Sequence, residues 1–136
     1  MNKLENINKV KTFLDEAKVF YIVTVDGDKP RSRPISFCMV EDNELYFGVG
    51  TFKDVYKQLV ANPNIEIVTS TPTKWLRLDG KAVFDNNQNL VDKCFDYMPA
   101  IKELYDKNGW QMGIFHIENV HAEIKQVINT LEVLEW

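Results

Sequence analysis

The chain has 136 residues, of which 45% are hydrophobic and 26% are charged; this fits one compact domain over residues 1–136 and leaves no room for a second. Its formal net charge of -4 argues against a nucleic-acid partner, because an acidic surface repels the phosphate backbone. No apolar run is long enough for a signal peptide or a membrane span, so we expect a cytoplasmic protein without a membrane partner.

The first part of the chain predicts a helix followed by a β-meander. Apolar residues recur at three- and four-residue spacing over residues 4–18, the pattern of an amphipathic helix. The next segment is rich in β-branched and aromatic residues and stops at Asp26-Gly27-Asp28, which favours a strand and a hairpin turn. Residues 31–40 and 44–49 are expected to form two more strands around a turn at Asp42-Asn43.

The rest of the chain predicts further strands interrupted by short helices. Thr51 is a residue type that caps helices, and we expect a helix over residues 52–61 that ends at Asn62 before Pro63. Strands are expected over residues 64–70 and 74–84, followed by helical pieces at 90–98 and 101–105 that are interrupted at Pro99. Final strands are expected over residues 112–117, 122–128 and 131–136.

These elements predict a mainly β fold with helical additions. The sequence has six to eight predicted strands and lacks the regular alternation of strands and helices that parallel sheets show, so we expect an antiparallel barrel. A barrel of this size is filled by its own side chains. A ligand is therefore expected outside it, in a cleft or at a subunit interface.

Two arginines lie on one face of the strand predicted over residues 31–40. Strand alternation places Arg31, Arg33, Ile35 and Phe37 on the same side, and two guanidinium groups together require an acceptor. Pro34 lacks the N–H of a sheet ladder and indicates an edge or bulge, where the backbone is free to bond a planar ligand. Alternatively, the arginines are solvated hairpin residues and Pro34 protects the edge from aggregation.

Two lysines, Lys53 and Lys57, lie on one face of the next helix near its N-terminal end. Like charges at this spacing repel each other, and cations are unfavourable at this end of the helix dipole. A bound phosphate would remove both penalties, because it would pair with the ammonium groups and accept from the free N–H groups of the first turn. Gly50 would allow close approach of the backbone. The alternative is a pair of ordinary surface lysines.

Trp75 and Arg77 share the outer face of the strand predicted over residues 74–84, while Leu76 and Leu78 face the core. These two outer residues are expected either to stack on an aromatic ligand or to be buried in a dimer interface. These two interpretations are compatible.

The residue types that commonly bind metals are few and scattered. Cys38 and Cys94 are far apart in a composition that favours reduced thiols over a disulfide framework. His116 and His121 are separated by an odd number of positions, which places their side chains on opposite faces of a continuous strand. We therefore expect no metal site.

An ordered series of motifs between Phe20 and Phe84 resembles pyridoxamine 5'-phosphate oxidase-related proteins, particularly the branch of nitroimidazole-resistance-type reductases. The series is Arg33-Pro-Ile-Ser-Phe37, Leu45-Tyr-Phe47, Lys53, Gln58-Leu59, Asn62-Pro63 and Trp75-Leu-Arg-Leu-Asp-Gly80. The resemblance implies a six-stranded antiparallel split β-barrel that forms a homodimer and binds FMN in clefts between the subunits.

The same resemblance implies which side chains and backbone groups bind FMN. They are Arg33, Pro34, Ile35, Ser36, Gly50, Thr51, Lys53, Tyr56, Lys57, Gln58, Trp75 and Arg77. The chain departs from the oxidase pattern, because Thr51-Phe-Lys53 replaces the family's Ser-Arg-Lys and Cys38 stands where a cation is often found. Oxidation of pyridoxamine phosphate is therefore not expected, and no catalytic residue is assigned.

Three hypotheses about function follow. The first is an FMN-dependent oxidoreductase that takes a small-molecule substrate, such as a nitroaromatic acceptor, with a nicotinamide as the electron donor. The second is a non-enzymatic module of the same fold that binds flavin or haem, with His116 or His121 as the axial ligand. The third is a structural dimer that has lost its ligand.

Overall fold

The computed structural model describes residues 2–136. Its first helix, α1 (Lys3–Ala17), follows the predicted amphipathic pattern and buries one face against the sheet. Asn2 caps this helix, because its side chain accepts a hydrogen bond of 2.9 Å from the Glu5 N–H. At the other end the Lys18 N–H donates to the Leu14 carbonyl. The helix predicted over residues 4–18 is confirmed.

Four strands come next: β1 (Phe20–Asp26), β2 (Lys29–Ile35), β3 (Met39–Glu41) and β4 (Glu44–Gly50). They form two separate hairpins, β1–β2 and β3–β4, so the predicted β-meander is wrong. The β3–β4 hairpin turns at Asp42 and Asn43, which both have the positive φ of a type I′ turn. The prediction of one continuous strand over residues 31–40 is wrong. β2 and β3 lie at opposite edges of the sheet, so the residues between them leave the ladder to cross from one edge to the other.

Helix α2 (Asp54–Ala61) begins two residues later than predicted. Thr51 is not its cap, because Lys53 occupies the N-cap position, and the Lys53 side chain makes no cap hydrogen bond. The Thr51 N–H donates instead to the Gln111 carbonyl at 2.9 Å, which keeps Thr51 tied to the segment before the next long strand. The helix ends at Asn62, as predicted.

Strands β5 (Asn64–Ser70) and β6 (Trp75–Asp85) confirm two predicted strands. Helices α3 (Gln88–Tyr97) and α4 (Pro99–Asn108) follow. Pro99 is the first residue of α4 rather than an interruption, because an N–H at that position has no partner within the helix. Gly109 ends α4 in the left-handed conformation.

The last two strands are β7 (Met112–Gln126) and β8 (Asn129–Glu135). The predicted break between residues 117 and 122 is wrong, because β7 continues through a bulge. Asn119 has a φ of 54°, and the register between β6 and β7 shifts between Asp79 and Lys81. The hairpin turn falls at Val127 and Ile128, which had been expected to end a strand.

All strands belong to one antiparallel sheet in the order β2-β1-β5-β6-β7-β4-β3, and β8 pairs with β7. The sheet is open between β2 and β3, so the predicted antiparallel split barrel with helical additions is confirmed. Its interior is closed to ligands, because it is filled by apolar side chains that include Phe20, Ile22, Phe47 and Phe115.

Helices α3 and α4 lie outside the barrel and form a second apolar cluster with β7. Leu90, Cys94 and Phe95 of α3 meet Tyr105 of α4 and Ile114 of β7 there. Within residues 2–136, no helix combines the length and apolar composition that a bilayer crossing requires.

Candidate functional site

A cleft of about 210 Å³ opens on the barrel surface between the edge strand β2 and helix α4. Six of the predicted FMN-binding residues line this β2–α4 cleft: Arg33, Pro34, Ile35, Ser36, Gly50 and Lys53. The arginine-bearing strand and the segment leading into α2 therefore meet at one place, although they are well separated in sequence. Their role as FMN ligands stays a prediction.

The cleft lies along a free edge of the sheet. Among the described residues, strand β2 pairs only with β1, and it contains Pro30 and Pro34. A proline on an edge strand costs no ladder hydrogen bond when its nitrogen faces away from the partner strand. Pro34 and Ser36 are exposed, so this end of β2 presents both backbone and side chains to a ligand.

The guanidinium group of Arg33 is anchored by the barrel. Its Nη1 donates to Thr24 Oγ1 at 2.7 Å and to the Ile22 carbonyl at 3.3 Å, and its Nη2 donates to Gln58 Oε1 at 2.8 Å. The Thr24 hydroxyl also donates to Gln58 Oε1 at 2.6 Å. Burial lowers the pKa of Arg33, and the nearby Asp54 carboxylate opposes that shift. Gln58 thus fixes Arg33 in place rather than lining the cleft itself.

The start of helix α2 carries positive charge and lacks a side-chain cap. Lys53 is the N-cap residue, its Nζ lies 5.9 Å from the centre of the Phe52 ring, and within residues 2–136 it has no salt bridge. Lys57 is exposed one turn further along the helix. Asp54 adds one negative charge in the first turn. Apart from this carboxylate, the helix start has the N–H donors and cations that anions require.

Two predicted site residues face a different and larger cavity. Thr51 and Tyr56 line a cavity of about 660 Å³ together with Asp85 and Asp106. We call this space the Asp85 cavity. The Tyr56 ring packs edge-on against Phe84, with 4.8 Å between ring centres. The structure therefore separates these two residues from the β2–α4 cleft.

Trp75 and Arg77 lie on the outer face of β6, away from the β2–α4 cleft of the same chain. The Trp75 indole N–H donates to the Val127 carbonyl at 3.2 Å, and Arg77 and Lys125 lie 5.1 and 5.2 Å from the centre of the Trp75 ring. Arg77 also pairs with Glu66 at 3.3 Å. Within one chain, this pair does not cover a ligand in the cleft.

Sequence reasoning missed the wall that α4 contributes. Met98, Ile101 and Tyr105 line the cleft opposite β2. The sequence showed only a short helical piece here and gave no sign of what it would face. Its distance to β2 depends on how the two helices pack on β7, which no local pattern specifies.

Carboxylates lie beside the ring nitrogens of both histidines, which disfavours either ring as an axial ligand to haem iron. His116 Nδ1 lies 2.8 Å from Asp85 Oδ2, and its Nε2 lies 3.2 Å from Glu118 Oε1. The exposed His121 is 3.2 Å from Glu135 and 3.5 Å from Glu123. The two side chains have different neighbours and do not form a pair.

The two cysteines are free, buried thiols. Burial raises the pKa of both Cys38 and Cys94 to about 12, which disfavours the reactive thiolate. Nucleophilic chemistry at either thiol has no support in this arrangement.

Comparison with protein families gives one match over most of the chain. The sequence profile described as pyridoxamine 5'-phosphate oxidase matches residues 7–120. A search of curated protein sequences finds no significant relative.

Solved structures with the same fold are numerous, and three illustrate their range. A NimC/NimA family protein from Clostridium acetobutylicum is 24% identical, with a TM-score of 0.89 over 98% of this chain and 94% of that one. A FAD-binding protein from Mesorhizobium loti is 13% identical, with a TM-score of 0.60 over 85% and 91% of the two chains. A heme binding protein from Mycobacterium smegmatis is also 13% identical, with a TM-score of 0.68 over 99% and 58%. At these identities the likeness shows the fold.

Proposed function

Since the chain belongs to the pyridoxamine 5'-phosphate oxidase family, we propose that it is an FMN-dependent oxidoreductase that holds FMN in the β2–α4 cleft. The observation that carries the proposal is the convergence of Arg33, Ser36, Gly50 and Lys53 on one cleft at a free sheet edge. The FAD-binding protein of the same fold supports it, because that protein binds a flavin.

The phosphate of FMN would be held at the start of α2. The first-turn N–H groups have no side-chain cap, and Lys53 lies beside them without a salt bridge in the described part of the chain. Lys57 would add a second cation on the same helix. These groups fit a phosphate, since its negative charge would pair with two ammonium groups that otherwise repel each other.

The ring system of FMN would lie along the end of β2. Pro34 and Ser36 offer exposed backbone and side-chain atoms, and the apolar residues Met98 and Ile101 form the opposite wall. FMN supplies the hydride transfer when it is bound. The chain contributes orientation and charge, because Thr24 and Gln58 hold the Arg33 guanidinium at the cleft.

A homodimer would complete the site. Trp75 and Arg77 have no place in the cleft of their own chain, yet both lie on an outward-facing sheet surface beside the exposed Tyr21. A second copy could bring this surface over the flavin. Size-exclusion chromatography with light scattering tests the assembly, and a monomer with bound FMN would exclude this part of the proposal.

The substrate would be a small, planar electron acceptor such as a nitroaromatic compound, with a nicotinamide as donor. The apolar α4 wall favours an apolar ring. We place the reaction in the cytoplasm, where buried thiols such as Cys38 and Cys94 stay reduced.

The phosphate role is tested by the double variant Lys53→Met/Lys57→Met. FMN should bind about tenfold more weakly, while riboflavin, which has no phosphate, should change less than about twofold. Flavin fluorescence quenching gives both dissociation constants. Lys93→Met/Lys102→Met is the matched control, because it removes two exposed lysines that pair with Glu41 and Asp106. Equal losses for FMN and riboflavin would contradict the phosphate role.

The absorption spectrum of the purified protein tests the cofactor itself. We expect flavin bands, either as isolated or after addition of FMN. A Soret band would indicate haem and would contradict the proposal. Anaerobic reduction by NADH followed by reoxidation with a nitroaromatic compound then distinguishes the enzyme from a flavin carrier, which would give no turnover.

A further inference from the structure

Tyr105 has a hydroxyl group without a partner at the wall of the β2–α4 cleft. The residue is 5% exposed, and its ring is held between Phe52, Phe95 and Trp110, with ring centres 5.7 to 5.8 Å away. Within residues 2–136 no group forms a hydrogen bond with its Oη, although its ring is packed on several sides. The hydroxyl is not fully enclosed by the protein, so it is free to bond a molecule in the cleft that Tyr105 lines.

The hydroxyl lies against the backbone at the floor of the cleft. A Cβ built on Gly50 would lie 2.8 Å from Tyr105 Oη and 2.5 Å from Phe52 Cε1. The glycine therefore leaves the space into which the Tyr105 hydroxyl reaches. Gly50 and Tyr105 both line the cleft that contains Arg33 and Lys53.

We propose that Tyr105 is a ligand-binding residue whose hydroxyl donates a hydrogen bond to an acceptor atom on the planar molecule in the β2–α4 cleft. This inference rests on the proposed flavin function. The acceptor is a ring carbonyl or nitrogen of the flavin, or an oxygen of an electron acceptor that enters beside it. Both sources share the same chemistry, a planar apolar ring with a hydrogen-bond acceptor at its rim.

The surroundings of Tyr105 favour this role over that of a base. Burial raises its pKa, with a smaller contribution from Cys94, so the phenol stays protonated at neutral pH and can donate. The neighbouring wall residues, Ile101 on α4 and Met98 just before the helix, have apolar side chains that donate no hydrogen bond. Tyr105 is thus the hydroxyl that α4 presents toward the cleft.

Tyr105→Phe tests the proposal, because it removes only the hydroxyl and keeps the ring packing. The expected result is a roughly two- to tenfold loss in the affinity of one of two probes, the range for a single hydrogen bond. FMN affinity is measured by fluorescence quenching together with the position of the bound flavin's absorption bands. The second probe is 4-nitrobenzyl alcohol, titrated into FMN-loaded protein and followed by the change in flavin absorbance.

Tyr97→Phe is the matched control, because Tyr97 is 65% exposed and does not line the cleft. A loss of FMN affinity, or a band shift, in Tyr105→Phe alone identifies the flavin as the acceptor. Unchanged FMN binding with weaker nitrobenzyl alcohol binding identifies the second molecule. If wild-type protein binds FMN, and Tyr105→Phe binds both probes with the same affinity as wild type, the Tyr105 inference is overturned while the proposed function survives. If wild-type protein binds no FMN, the proposed function itself fails.

Discussion

Two cavities of this protein differ in volume and in the charge of their walls, and the smaller cavity is the one with positively charged residues. The Asp85 cavity has about three times the volume of the β2–α4 cleft, at about 660 against 210 Å³. Its wall carries the carboxylates of Asp85 and Asp106 and several amide side chains. The smaller cleft carries Arg33 and Lys53. A phosphorylated cofactor is therefore favoured in the smaller one.

The polar groups of the two cavities also differ in whether they already have partners. In the Asp85 cavity, Asp85 contacts His116 at 2.8 Å, and burial together with the Asp85 charge raises the pKa of Tyr46 to about 12. In the β2–α4 cleft, Lys53 and the Tyr105 hydroxyl have no partner within residues 2–136. Groups that satisfy one another stabilise the fold, whereas unpaired groups are free to bind the proposed ligand.

The largest effect should come from the paired cluster and should concern stability. His116→Phe keeps the ring that packs on Tyr46 but removes both nitrogen contacts, and we expect unfolding to cost about 2 kcal/mol less. FMN affinity should not change. Chemical denaturation and FMN titration measure the two quantities. His121→Phe, at an exposed site, should change stability by less than about 0.5 kcal/mol. A loss of FMN binding in His116→Phe would contradict the assignment of FMN to the β2–α4 cleft alone.

Adding one methyl group to the wall of each cavity should distinguish which of the two binds FMN. Gly50→Ala places a Cβ 2.8 Å from the Tyr105 hydroxyl and should weaken FMN binding by about tenfold, close to 1.4 kcal/mol. Gly113→Ala adds the same methyl beside Phe84 and Tyr56, at 3.2 Å, in the larger cavity. FMN titration should show no change there. Weaker FMN binding in Gly113→Ala alone would assign the flavin to the Asp85 cavity.

A smaller effect is expected where the fold holds Arg33 in place. Thr24→Val removes the hydroxyl that bonds both Arg33 and Gln58, and we expect FMN to bind about threefold more weakly because Arg33 loses one anchor. Thr69→Val is the control, since Thr69 is also buried and donates to the Val19 carbonyl at 2.7 Å. Both variants should lose about 1 kcal/mol of stability. Equal FMN affinity in the two would show that the anchoring of Arg33 is unimportant for binding.

Local sequence patterns predicted most helices and strands correctly. They failed where contacts between distant parts of the sheet decide the structure. Apolar periodicity predicted α1, and β-branched runs predicted β1, β5 and β6, since these signals follow from backbone geometry within a few residues. The continuous strand over residues 31–40 was wrong, because β2 and β3 belong to opposite edges. Thr51 was wrong as a cap, because α2 begins at Asp54 with Lys53 at the N-cap, while the Thr51 N–H is bonded to Gln111, sixty positions away in sequence.

The sequence by itself determined a mainly β, antiparallel barrel, the proline-bearing edge strand and the lysines near the start of α2, because each depends on residue types in short runs, whereas the split form of the barrel came from the family resemblance. Only the tertiary structure decided which of these residues share a cleft. It brought Arg33 to Gly50 and Lys53, moved Thr51 and Tyr56 to another cavity, left Trp75 and Arg77 on an outer face, and added Tyr105. The physical reason is that a binding site forms from long-range packing, which fixes distances between segments that no local pattern encodes.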